Sequence, residues 1–127
     1  MPDMYRVGQI ADAGAGGSTT PGKKYDSNKP PLVQGCFTYF AAALEGVAAI
    51  SAYGAQKYNV PYSEQNWRKV ENAKGRYADA LLRHLKAHLR GEINDPESGK
   101  PHIDHMCWNA LALSELEKPI APTLNNP

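Results

Sequence analysis

Cysteine is nearly absent from this 127-residue chain: Cys36 and Cys107 stand alone, with no CxxC pair. Two isolated thiols argue against a disulfide scaffold and suit a reducing compartment. Long apolar runs are missing too, and no stretch approaches the roughly 18 residues that a membrane span needs. The first residues, Met1 to Gly17, lack the basic-then-apolar order of a secretory signal. Neither charge dominates: 14 Lys and Arg face 13 Asp and Glu, a net charge of +1. A dedicated duplex-DNA binder usually carries a clear basic surplus, so that class is disfavoured. A small anionic ligand held by a few local cations is not. No Walker A pattern occurs, and no GxGxxG follows a strand. Together these absences predict a cytoplasmic, single-domain protein with neither membrane nor nucleic acid as a partner.

What is present is helical punctuation. Residues 1–21 read as a flexible arm rich in Gly, Ala, Ser and Thr, and 119–127 as a loose tail after Pro119. A loop bearing Lys23, Lys24, Asp26 and Lys29 ends at Pro30-Pro31, which is expected to postpone any helix until about Phe37. Apolar spacings of three and four then predict helices over about 37–57, 72–90 and 101–117. The first carries Phe37, Phe40, Leu44, Val47, Ala48, Ala55 and Tyr58 on one face. The second carries Ala78, Leu81, Leu82, Leu85 and Leu89 and stops at Gly91. The third opens at Pro101 and carries Ile103, Met106, Ala110 and Leu113. Segments 59–71 and 91–99 read as loops, and no stretch alternates well enough for a strand. Trp108, Leu111 and Cys107 point away from the third stripe. Either another copy of the chain covers that second apolar face, or the loops or the N-terminal arm do; an oligomer is the expectation.

Chemistry concentrates near the third helix. His84, His88, His102 and His105 all fall between positions 84 and 105. His102, His105 and Asn109 share one side of their helix, and His84 and His88 share one side of theirs. Joined by a loop with Glu92, Asp95 and Glu97, they form either a divalent-metal site or a set of hydrogen-bonded core histidines. Glu45 is the only acid between Asp26 and Glu64, in a helix that is otherwise alanine and aliphatic. It is either a buried carboxylate relieved by a cation or an edge residue reaching solvent. Asp79, Arg83, Lys86 and Arg90 share the opposite side of the second helix, with Asp79 and Arg83 as an i,i+4 pair, and read as a solvated face or a subunit contact in an oligomer.

One ordered pattern then stands out. It runs Lys23-x-x-Asp26-x-x-Lys29-Pro30-Pro31, Ala43-Leu44-x-x-Val47-Ala48, Tyr53-Gly54-Ala55-x-Lys57-Tyr58 and Asn66-Trp67. It continues through Arg76-Tyr77-x-x-Ala80-Leu81-Leu82-Arg83-His84-Leu85 to Gly91-Glu92-x-x-Asp95-Pro96-Glu97-Ser98-Gly99-x-x-His102-x-x-His105. Over residues 22–117 this resembles the phage and bacterial dATP/dGTP diphosphohydrolase domain, a branch of the MazG-like nucleotide pyrophosphatases. The resemblance implies an all-α, MazG-like helical bundle over 22–118, assembled as an oligomer, with a tetramer favoured. It implies hydrolysis of a purine deoxynucleoside triphosphate, dGTP foremost and GTP or dATP as alternatives, to the monophosphate and pyrophosphate with Mg²⁺ or Mn²⁺. It also implies a setting in the infected bacterial host, where the product would feed synthesis of 2-aminoadenine DNA. MazG-like enzymes usually hold the metal with ExxE and ExxD on helices. Here there is no ExxE, the only ExxD is the loop pair Glu92 and Asp95, and His102-x-x-His105 stands where a second ExxD is expected.

The expected site follows from both readings. Glu45, His84, Glu92, Asp95, His102 and His105 are the candidate metal ligands, with Glu45 and His105 in the catalytic role. Lys23, Asp26, Lys29, Lys57 and Arg83 are expected around the phosphates, and Asn66 and Trp67 against the base, unless Trp67 is a loop anchor. The competing expectations are a metal-dependent triphosphohydrolase and a non-catalytic nucleotide-binding protein. The chain lacks the adjacent His-Asp pair of the HD type, which disfavours the first.

Overall fold

The computed structural model describes residues 20–119. They fall into two units divided between Ala41 and Ala42, and each is taken by itself. The expected arm and tail lie, but for residues 20, 21 and 119, outside the described residues.

In the first unit the lysine loop is exposed throughout, and the Lys29 N–H closes a turn on the Asp26 carbonyl at 3.0 Å. Helical structure starts directly after the prolines, not at Phe37. A π-helical segment spans Val33–Thr38, preceded by Leu32 in helical conformation. The Gly35 N–H already reaches the Pro31 carbonyl at 2.6 Å. A proline restricts the residue before it but is well suited to a first helical turn, where its missing N–H costs nothing. Pro31 therefore opens the helix that it was expected to delay. The Thr38 hydroxyl donates to the Val33 carbonyl at 2.8 Å.

The second unit holds three α-helices: α1 (Ala41–Tyr58, all but its first residue), α2 (Ala73–Leu89) and α3 (His102–Leu116). Two short 3₁₀ turns, Tyr62–Glu64 and Asn66–Lys69, join α1 to α2. Among the described residues there is no strand, only an isolated bridge between Asn94 and Pro101, so the fold is all-α. None of its helices is long and apolar enough to cross a membrane. Gly91 caps α2 as its position implies. With φ at +95°, it donates to the His88 carbonyl at 3.0 Å, and Glu92 N–H reaches back to the Ala87 carbonyl at 3.1 Å. That pair of bonds is a Schellman motif, and only glycine adopts its left-handed turn without strain.

The interior is unusual in what it buries. Ile50 and Ala112 are the only buried apolar residues among those described, beside the polar His102, His105 and Asn109, and none of the five is wholly shut off from solvent. Positions 102, 105, 109 and 112 form a single stripe at spacings of three, four and three, so α3 turns a largely polar face inward. The expected apolar stripe divides. Met106 and Leu113 are half-buried, whereas Ile103 and Ala110 are exposed. On α2, Leu81, His84, Leu85 and His88 are half-buried, but Leu82 and Leu89 are 61% and 74% exposed. On α1 the inward side runs through Val47, Ile50, Ser51 and Gly54, leaving Ala48 and Tyr58 exposed; Phe40, which precedes α1, is exposed as well. Three helices this short cannot wrap one another on all sides, so their contacts go where polar groups find partners.

Part of the second face of α3 is covered by the 59–71 loop. Trp108 donates from Nε1 to the Ser51 hydroxyl at 3.0 Å, and its ring meets Trp67 and Tyr77 edge-on at 6.1 and 5.3 Å. The Tyr77 hydroxyl bonds the Trp67 carbonyl, and the Arg68 guanidinium lies 4.6 Å from the Trp67 ring centre. Leu111 gets no such cover and is 49% exposed.

Candidate functional site

The loop between α2 and α3 folds back on the first turn of α3. Asp95 N–H donates to the Lys100 carbonyl at 2.8 Å, Gly99 N–H to Asp95 O at 2.7 Å, and His102 N–H to Ile93 O at 2.8 Å. Gly99, at φ +72°, makes the reversal possible. The Asp95 carboxylate caps the loop from inside, accepting from the Glu97 and Ser98 N–H groups at 3.3 Å each. This geometry brings both acids of Glu92-x-x-Asp95 against the α3 histidines.

Two chains of hydrogen bonds result. In one, the Glu92 carboxylate meets His102 Nε2 at 2.6 Å, and His102 Nδ1 meets His84 Nδ1 at 2.8 Å. In the other, the Ser98 hydroxyl donates to Asp95 at 3.0 Å and lies 2.7 Å from His105 Nε2. An ionised carboxylate can only accept, so the serine proton belongs to Asp95 and His105 Nε2 donates to Ser98. Burial alone would push the Asp95 carboxyl up, but the bonds from Ser98 and the backbone outweigh it and hold it below the usual range. The His84 and His105 rings stack, with centroids 4.4 Å apart. Burial first, and then the neighbouring His105, lower His84 from 6.5 to about 4; burial lowers His105 as well. Tyr53 of α1 meets the His105 ring edge-on at 6.2 Å.

These histidines line a cleft of about 1290 Å³ within the second unit, shared by Asp95, Asn109, Asn66, Trp67, Lys57 and the α2 residues Arg76, Asp79 and Arg83. Its volume exceeds the roughly 300–1,000 Å³ of a small-molecule pocket.

The sequence-predicted residues therefore separate. His84, Glu92, Asp95, His102 and His105 come together. Lys57, Arg83, Asn66 and Trp67 face the same cleft, although Lys57 is paired with Glu97, which raises the lysine and lowers the acid. Trp67 sits in the aromatic cluster as a loop anchor. Glu45 is exposed on α1 and is not among the residues that line the cleft; of its two readings, the edge residue reaching solvent is the one met. In a helix rich in alanine the side that packs is decided by neighbours, and these take the Ile50 side. Lys23, Asp26 and Lys29 are exposed in the first unit. His88 keeps Nδ1 buried without a partner and joins neither chain. Asp79 is exposed, as its place on a solvated face implies, and also borders the cleft, and no ion pair joins it to Arg83 among the described residues.

Ser98 and Arg76 were not anticipated. Ser98 stands three residues after Asp95, a spacing at which a side chain closes an Asx-type turn. Arg76 precedes Arg83 by seven residues, two turns along one face of α2.

A family model described as dATP/dGTP diphosphohydrolase, N-terminal, matches residues 19–121. The chain belongs to this family. No curated protein and no solved structure matches it. For a dATP/dGTP diphosphohydrolase domain, the test is whether the residues present fit the divalent cation that the resemblance implies. His102 has both ring nitrogens engaged, by Glu92 and His84, and His84 has its Nδ1 engaged. Among the described residues no three His, Cys, Asp or Glu side chains form a set able to hold a metal. The donor set of this single chain does not fit a metal cage of its own.

Proposed function

We propose that this chain hydrolyses a purine deoxynucleoside triphosphate, dGTP foremost, to the monophosphate and pyrophosphate. The observation that carries the reading is the pair of stacked histidines, each tied to a carboxylate-anchored hydrogen-bond chain, in a cleft that also holds Arg76, Arg83 and Lys57. Family membership supports the substrate class.

The guanidinium groups of Arg76 and Arg83 are suited to phosphate oxygens, which they grip in bidentate fashion. Asn66 is the proposed contact to the base, beside the loop that Trp67 anchors. Water attacks the α-phosphorus, the bond to the β-phosphate bridging oxygen breaks, and pyrophosphate leaves with that electron pair. An unengaged imidazole nitrogen of the His84–His105 pair takes the proton of the water. A Mg²⁺ or Mn²⁺ ion belongs in this proposal as part of the substrate, carried on its phosphates with few protein ligands.

The oligomer belongs to the proposal too. A cleft larger than a nucleotide needs, and helices with exposed Leu82, Leu89, Ile103 and Leu111, suit packing against further copies, a tetramer in the MazG-like arrangement. Glu45, exposed on this chain, reaches a site only if another copy brings one to it. The phage setting and the link to 2-aminoadenine DNA rest on the resemblance.

Incubation with each NTP and dNTP in Mg²⁺ or Mn²⁺, followed by product analysis, tests the reading. The expected products from dGTP are dGMP and pyrophosphate, lost on His84→Gln or His105→Gln with helical circular dichroism retained. Release of inorganic triphosphate would assign the chain to the triphosphohydrolases, and stabilisation by dNTP without turnover would make it a binding protein.

A further inference from the structure

Glu92 does not line the cleft, yet it is joined to two residues that do. Its carboxylate can only accept, so the proton in the 2.6 Å contact sits on His102 Nε2. A neutral imidazole carries one N–H. Above the titration range of imidazole His102 Nδ1 is then a lone pair, and the 2.8 Å contact to His84 places the proton on His84 Nδ1. His84 Nε2 is left as a bare lone pair, with no partner among the described residues. The other chain commits His105 Nε2–H to Ser98 and the Ser98 proton to Asp95, so the bare nitrogen of His105 is its Nδ1.

We propose that Glu92 is a positioning residue: acting through His102, it locks His84 in the Nδ1–H tautomer and presents the Nε2 lone pair of His84 to the cleft as the acceptor of the attacking water's proton. Only the last step rests on the hydrolytic reading above. In that step the water oxygen bonds to the α-phosphorus, pyrophosphate leaves with the bridging electron pair, and the water proton goes to His84 Nε2. The imidazolium so formed keeps its Nδ1–H on His102, with the Glu92 charge at the far end of the chain. A carboxylate that orients an imidazole through its other nitrogen fixes which tautomer does chemistry, and the wrong tautomer is costly in rate.

The test reads the tautomer and the turnover separately. Two-bond proton–nitrogen correlation spectra of the ¹⁵N-labelled full chain, recorded above the titration range of imidazole, distinguish protonated from bare ring nitrogens, and His84→Gln assigns the signals. His84 is expected protonated on Nδ1. Glu92→Ala should release it to the Nε2–H form and lower kcat on dGTP about a hundredfold, with KM little changed. Glu92→Gln keeps an oxygen that accepts the same bond and should restore both tautomer and most of the rate. A wild-type His84 protonated on Nε2, or a Glu92→Ala protein that keeps the proton on Nδ1, overturns the proposal whatever the turnover. The expected tautomers in a protein that leaves every dNTP intact uphold the lock and count against the hydrolytic reading instead.

Discussion

The imidazole planes of His84 and His105 lie 6° from parallel with their centroids 4.4 Å apart, one ring from α2 and the other from α3. Two stacked rings in a half-buried place are stable together only while neutral, since a proton on either is desolvated and repelled by any charge on its neighbours. His84 faces His105 and His102 from α3, Arg83 from its own helix, and Asp95 from the loop, the last being the one group that favours its charge. The pH dependence follows. The unfolded chain takes up a proton near 6.5, whereas folded His84 does so only at about 4. Between those values the unfolded state holds more protons, so stability falls as the pH is lowered from about 6.5 toward about 4. Thermal melts across that window should show the decline, and His84→Gln should reduce it to the share that His105, also lowered by burial, contributes. A melting temperature independent of pH there contradicts the neutral stack.

Ser98 is a junction. Its oxygen accepts from His105 Nε2 and from the Lys100 N–H at 3.2 Å, while its proton goes to Asp95. Ser98→Ala leaves His105 with Asp95 Oδ2 at 3.5 Å as its remaining neighbour, too far for a good bond. The expected cost is about 1–3 kcal/mol for a part-buried donor left unsatisfied. Chemical denaturation of the two proteins measures it. An unchanged midpoint would mean that the serine is a bystander.

Which parts of this could be read in advance depends on the kind of signal. Gly91 and Pro101 marked the end of α2 and the start of α3 because backbone rules act at single residues. The inward histidines were legible because spacings of three and four place residues on one side of any helix. Glu45 was not, because an alanine-rich helix gives weak preference for one face and the Ile50 side packs instead. Pro30-Pro31 misled because a proline marks a boundary without saying on which side the helix lies. The loop acids were recognised as important, but the role of each depends on where a turn of the chain points it. Glu92 and Asp95 turned out to hold histidines.

Lys57 offers a test of how the cleft handles phosphate. It is paired with Glu97 across the gap between α1 and the loop, with side chains 39% and 63% exposed. A pair so open to solvent contributes little, so neither Lys57→Ala nor Glu97→Gln should change stability much. Their effects on dNTP should be opposite. Glu97→Gln frees the ammonium and lowers KM, whereas Lys57→Ala raises it. If both leave KM at the wild-type value, Lys57 has no part in holding the triphosphate.

The exposed leucines make the last prediction. A second unit with two buried apolar side chains among its described residues has little interior of its own, yet Leu82 and Leu111 stand 61% and 49% exposed. Burying a leucine side chain contributes roughly 1.5–3 kcal/mol, and leaving several in water forgoes that stabilisation. Association of copies through these faces recovers it. Light scattering coupled to size exclusion should therefore give a mass several times that of one chain. Leu82→Glu together with Leu111→Glu places charges in the interface and should shift the mass toward the monomer, with a lower melting temperature and concentration-independent unfolding. Because Leu111 also lines the cleft, the monomeric double variant should lose dNTP turnover as well. A wild-type protein that elutes as a single chain at working concentration removes the oligomer from the proposal.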